Sequence, residues 1–202
     1  MYLKSILFLV FLLSIGITSE KQTLEVGDTA MDFNLKNVDG TMLSLKSNKE
    51  AKGYILVFTC NTCPYSVMYE DRVIALHEKY AEKGYPVLAV QPNNSEKSPG
   101  DAFDKMQERA KGKDFPFPYT LDITQEVTAT YGATNTPQVY LLNKQADESF
   151  KIEYIGAIDN NSRNASTATK RYVENAVDAL LAKGEIITTK TKAIGCTVKW
   201  AN

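Results

Sequence analysis

The chain has 202 residues, 44% of them hydrophobic and 23% charged, with 23 basic and 24 acidic side chains and a formal net charge of -1. That length supports one domain with extensions. The composition is that of a globular protein able to bury a core without disulfide staples, and the near-neutral charge leaves no electrostatic footprint for nucleic acid. A single histidine gives little support to a histidine-based metal centre or a Ser-His triad.

Lys4, the apolar run from Ile6 to Ile17 and the small-residue end Thr18-Ser19 read as a secretory signal peptide over residues 1–19. The run is shorter than the ~20 residues a bilayer crossing takes. The expectation is export, to the periplasm in a bacterium and otherwise by secretion, with no stable membrane insertion after cleavage. Phe33–Leu35 and Met42–Leu45 flank Asp39-Gly40, a pattern for a small hairpin. Tyr54–Thr59 is a continuous apolar, β-branched and aromatic run, as in a strand buried on both faces. Cys60-Asn61-Thr62-Cys63-Pro64 follows it directly.

A helix is predicted from Pro64 to Lys83, with Val67, Met68, Ile74, Ala75, Leu76 and Tyr80 inward. Pro64 suits its first position and Gly84 its end. Val87–Val90 is the next strand, so the unit is β-α-β with a parallel strand pair. Asp101 is placed to cap a helix carrying Phe103, Met106 and Ala110, and Asp122 or Thr124 to open a short helix ending at Tyr131. Strands follow at Gln138–Leu142 and Phe150–Ile158, too close in sequence for a helical crossover and therefore antiparallel. A helix over Thr167–Lys183 turns Tyr172, Val173, Ala176, Val177, Leu180 and Leu181 inward. The sum is an α/β chain with a mixed central sheet flanked by helices. A domain over 20–185 precedes a Thr/Lys-rich tail, 186–202, that carries Cys196 and is the candidate for a separately mobile piece.

Cys63 carries the chemistry. Backbone N–H groups and the dipole at a helix start stabilise a thiolate, and the thiolate is the form that attacks disulfides and peroxides. Cys60 is either the partner in a dithiol or a small buried residue against the sheet. As half of a zinc site, Cys60-x-x-Cys63 is completed by no second pair and no suitably spaced histidine, so neither metal nor cofactor is expected. With three cysteines, at least one is free or pairs outside the chain. Thr136-Pro137 before a strand fits a cis-proline turn. His77 lies roughly 20 Å along the helix from Cys63 by helical rise and reads as a surface or satisfied histidine. Glu70, Asp71 and Arg72 read as a solvated or ion-paired face.

The hairpin at Asp39-Gly40, the strand–Cys63-Pro64–helix unit and Thr136-Pro137 resemble the thioredoxin-fold redoxin superfamily. More narrowly, Cys60–Tyr65, Pro116-Phe117-Pro118-Tyr119, Tyr131-Gly132-Ala133 and Gly195-Cys196-Thr197-Val198-Lys199-Trp200 are similar to its peroxiredoxin-like thioredoxin-family proteins. The resemblance implies a thioredoxin-like fold with an N-terminal hairpin extension. It implies Cys63 as the attacking cysteine, and Thr136 and Pro137 as the turn that faces it and holds substrate backbone. The second cysteine of the thioredoxin motif would fall at Ser66, and the threonine that peroxiredoxins carry three residues before the reactive cysteine is here Cys60. No acid in Tyr54–Thr59 supplies the buried proton relay of thioredoxins.

The expected activity is extracytoplasmic thiol–disulfide exchange, with Cys60 or Cys196 as resolving thiol. Protein disulfides or thiols would be substrates, and a redox partner would recycle the chain. The alternatives are antioxidant peroxide reduction and a non-catalytic binding module or copper carrier using Cys60 and Cys63.

Overall fold

The computed structural model describes residues 23–201; the signal-peptide reading of residues 1–19 lies outside them. The described residues form a seven-stranded sheet and a separate two-stranded one. The hairpin strands β1 (Leu35–Asn37) and β2 (Met42–Leu43) pair antiparallel. Their turn is held by Asp39, whose Oδ1 accepts from the backbone N–H and hydroxyl of Thr41, and by Gly40 at φ +90. Strand β3 (Gly53–Phe58) leads into helix α1 (Pro64–Tyr80) and strand β4 (Val87–Gln91), and β3 and β4 are parallel as the β-α-β reading requires. Helix α2 (Phe103–Gly112), strand β5 (Tyr119–Leu121), helix α3 (Glu126–Tyr131) and the short strand β6 (Asn135–Thr136) follow. Strands β7 (Gln138–Lys144) and β8 (Phe150–Gly156), helix α4 (Tyr172–Leu181) and strand β9 (Cys196–Thr197) complete the chain. The order in the large sheet is β2-β1-β5-β4-β3-β7-β8, with β7 and β8 antiparallel as expected.

β3 is buried at every position, and its alternation divides the core. Ile55 and Val57 face Tyr69, Val73 and Leu76 of α1 and Val173 and Val177 of α4. Leu56 and Phe58 face Leu45, Tyr131 and Tyr140 on the other side. A strand covered on both faces has no polar alternation to show, which is why the run Tyr54–Thr59 is unbroken. Among the described residues no helix is long and apolar enough to cross a membrane.

Four expectations are corrected. Val67 and Met68 of α1 are 40% and 39% exposed, not inward. The inward stripe is Tyr69, Val73, Leu76 and Tyr80, and at about 100° per residue Val67 lies on the opposite side of the helix from Tyr69. Asp101 does not cap α2; it ends a single 3-10 turn, Pro99–Asp101, and Ala102 is the cap. Helix α3 starts at Glu126 after Gln125 in the left-handed conformation, and Asp122 instead accepts from the N–H and hydroxyl of Thr128. Helix α4 is shorter than predicted. Asn160 Oδ1 accepts from the N–H groups of Thr169 and Lys170, which holds that stretch out of the helix.

The tail is not a loose appendage. Ile155 donates to Thr189 and accepts from Thr191, Val198 donates to the Thr134 carbonyl, and β9 pairs antiparallel with β6. This brings residue 196 across the start of α1.

Candidate active site

β3 runs out at Phe58, and the chain turns through Cys60–Cys63 before α1 begins at Pro64. Cys63 is the residue before the first helical turn, at φ -72 and ψ 122, which sets it at the positive end of the helix dipole. Both cysteines of the loop are 3% exposed. Cys60 Sγ lies 3.2 Å from Thr136 Oγ1 and 3.9 Å from Ser66 Oγ. Cys63 Sγ lies 2.6 Å from Cys196 Sγ and accepts from the Cys196 N–H at 3.3 Å. The Thr136 carbonyl oxygen, to which a protonated Cys63 donates, is 3.1 Å away. All three cysteines are free thiols.

Their proton affinities diverge. Donation from the Cys60 thiol is the largest influence on Cys63. Together with the Cys196 thiol and the Ser66 and Cys196 N–H groups, it lowers Cys63 to about 4 against the opposing effect of burial. Donating to Cys63, being buried and facing the Asp101 charge all push Cys60 well up. Burial, then the hydrogen bond and charge of Cys63, push Cys196 up to about 11. Of the three, Cys63 is the one whose proton affinity is lowered, while those of Cys60 and Cys196 are raised.

Thr136 is fully buried and its bond to Pro137 is cis. The pairing of β6 with β9 sets Thr136 opposite Cys196 and Asn135 opposite Thr197. Gly195 lies so close that an added Cβ would sit 2.1 Å from the Thr136 carbonyl oxygen. The backbone edge beside the cis-proline turn, read in the sequence as a substrate contact, is therefore occupied by the chain's own tail.

A residue that sequence reasoning had placed elsewhere holds this loop from below. Asp101 is fully buried. Its Oδ1 accepts from the N–H groups of Asn61 (2.8 Å) and Thr62 (3.0 Å), and its Oδ2 from Thr62 Oγ1, Ser98 Oγ and Asn93 Nδ2. The only local signal was an acid among polar turn residues, which a helix cap also explains.

His77 takes no part. It is half-buried, Nδ1 accepts from the Val87 N–H, and the ring lies against Phe117. Glu70 is buried and paired with Arg109 and Lys113, Arg72 is paired with Asp159, and Asp71 is exposed. Among the described residues no group of three or more His, Cys, Asp or Glu is arranged to hold a metal ion.

With this geometry in hand, the likeness to known proteins is specific. The thiol-disulfide oxidoreductase ResA of Bacillus cereus is 28% identical over 137 residues, 66% of this chain and 73% of its own. A conserved protein of Geobacillus kaustophilus superposes with a TM-score of 0.80 at 31% identity, over 88% of this chain and 93% of its own. A protein of Sinorhizobium meliloti does so at 0.80 and 28% identity, over 89% and 97%. A thiol:disulfide interchange protein DsbE of Chlorobium tepidum shares the thioredoxin-like fold at 20% identity and a TM-score of 0.59. The model of the AhpC/TSA family matches residues 26–151. From the strand–cysteine–helix unit to the cis-proline turn, this chain belongs to the AhpC/TSA family.

Proposed function

We propose that the protein is an extracytoplasmic thiol–disulfide oxidoreductase in which Cys63 attacks and Cys196 resolves. The observation that carries this reading is the pair of sulfurs at 2.6 Å, one of them lowered to about 4 and the other raised to about 11. The Cys63 thiolate attacks one sulfur of a substrate disulfide. A mixed disulfide forms and the other substrate sulfur leaves as a thiolate. That step removes the negative charge of Cys63, one of the causes that hold the proton on Cys196, so Cys196 becomes easier to ionise once it is needed. Its thiolate then attacks Cys63 Sγ and releases the second substrate thiolate, leaving Cys63–Cys196 oxidised. The substrate has gained two electrons, and an external dithiol must return two to the protein. Run backwards, the same steps oxidise a substrate dithiol. Cys60 is not the resolving thiol in this reading, because its sulfur lies against Thr136 Oγ1 and Ser66 Oγ while the sulfur seated against Cys63 Sγ is that of Cys196.

Purified protein is assayed for exchange with glutathione disulfide and insulin, for peroxide consumption and for bound copper. Disulfide exchange without the other two supports the proposal. Peroxide consumption without exchange, or stoichiometric copper with neither, contradicts it.

The tail controls access. Cys63 is 3% exposed, so a protein disulfide reaches it only when β9 leaves β6. Gly195→Ala places a methyl group against the Thr136 carbonyl and is expected to undock the tail. Alkylation of Cys63 by iodoacetamide should then speed up about tenfold or more, in line with site-selective thiol reactivity governed by access as well as by pKa. An unchanged rate would show that the tail does not shield the sulfur.

A further inference from the structure

Asp101 takes five donors on one fully buried carboxylate, and all five are neutral. A buried charge is costly unless it is hydrogen-bonded, and here the bonds run in two directions. The N–H groups of Asn61, half-buried, and Thr62, exposed, turn inward onto the buried carboxylate. Bound to Oδ1, they fix the two residues that precede Cys63. The second direction runs through Asn93, itself 4% exposed. Asn93 Nδ2 donates to Asp101 Oδ2 at 2.8 Å, while Asn93 Oδ1 accepts the Lys199 N–H at 2.9 Å. A carboxylate only accepts, so it dictates which end of the Asn93 amide faces it, and the amide oxygen is left for the tail. The Lys199 carbonyl in turn accepts from the Asn94 N–H and from Gln125 Nε2. Lys199 lies three residues after Cys196.

We infer that Asp101 is a positioning residue that holds the Cys63 loop and the Cys196 tail in mutual register, so that both reacting sulfurs are placed from one buried anchor. This rests on the reading of Cys63 and Cys196 as the reacting pair. Substituting Asp101 by Asn keeps the size but puts an amide NH2 where an acceptor is required. It weakens the grip on Asn61 and Thr62 and removes the reason for Asn93 to present its oxygen to Lys199. Asn93→Ala cuts the tail arm alone.

Purified wild type, Asp101→Asn and Asn93→Ala are equilibrated with mixtures of reduced and oxidised glutathione, and the Cys63–Cys196 disulfide is quantified. Amide hydrogen exchange is followed at Asn61, Thr62 and Lys199. Asp101→Asn is expected to lower the effective concentration of the two thiols at least about tenfold, a rise of ~30 mV in potential, and to expose all three amides. Asn93→Ala is expected to lower the effective concentration too, while Asn61 and Thr62 stay protected. A role limited to general stability lowers the melting temperature without moving the potential. A folded Asp101→Asn with wild-type potential overturns the proposal; if that variant does not fold, Asn93→Ala with wild-type potential does so. If wild type forms no Cys63–Cys196 disulfide in any mixture, it is the functional reading that fails. The amide pattern then decides the anchor by itself: loss of protection in both arms for Asp101→Asn supports it, and unchanged protection overturns it.

Discussion

Cys63→Ser is expected to lower disulfide exchange by at least about a thousandfold, the scale on which loss of an enzyme nucleophile is felt. Serine is close to cysteine in size, and the helix start, the Cys196 N–H and the tail pairing remain, so the variant should fold and dock its tail. What is lost is an anion: a hydroxyl does not ionise at neutral pH in this setting, whereas the thiol lowered to about 4 does. The same displacement predicts a pH profile. Iodoacetamide reacts with the thiolate, so wild-type alkylation of Cys63 should rise with a midpoint near about 4 and be flat across neutral pH. Cys60→Ala removes the largest of the influences that lower Cys63, and its midpoint should move up toward the ordinary thiol value of ~8.5. A wild-type midpoint near that ordinary value would mean that the donors around Cys63 do not stabilise its thiolate.

Cys196→Ser is expected to separate the two half-reactions. Attack by Cys63 survives, so about one equivalent of mixed disulfide with glutathione should accumulate and be visible by mass. Steady-state turnover should fall about a hundredfold, because release then waits for an outside thiol. Cys60→Ala should behave the other way: its attack is slowed at neutral pH by the raised Cys63 midpoint, but the cycle completes and no mixed disulfide accumulates. A Cys196→Ser variant that turns over normally, beside a Cys60→Ala variant that stalls as the mixed disulfide, would exchange the roles of the two cysteines.

The parts of this site that were legible in the sequence are those set by neighbours along the chain. A buried strand, a cysteine, a proline and a helix are consecutive, and local rules place Cys63 at a helix start wherever that string occurs. The Thr136-Pro137 turn was legible through family resemblance, since an X-Pro dipeptide before a strand is common by itself. The docking of the tail was legible only as one of two alternatives, through Cys196 as a rival to Cys60 for the resolving thiol. Cys196 is 133 residues from Cys63, and its segment is short, polar and without apolar period. In hindsight the one local trace is Gly195, a residue without a side chain where the backbone meets Thr136. Asp101 was misread for a related reason. Its donors Asn61 and Thr62 are 40 and 39 residues away, and an acid before an apolar-periodic stretch fits a helix cap equally well. Val67 and Met68 show the reverse error, where two apolar residues were assigned to the inward stripe although exposed apolar side chains are ordinary on folded proteins.

In the proposed cycle Cys63 and Cys196, not Cys60 and Cys63, form the redox pair. Disulfide mapping by peptide mass spectrometry, after oxidation of the reduced protein with one equivalent of glutathione disulfide, tests it most directly. The expected product is a peptide pair joined through Cys63 and Cys196, with Cys60 recovered as a free thiol. A Cys60–Cys63 bond, with Cys196 free, would contradict it.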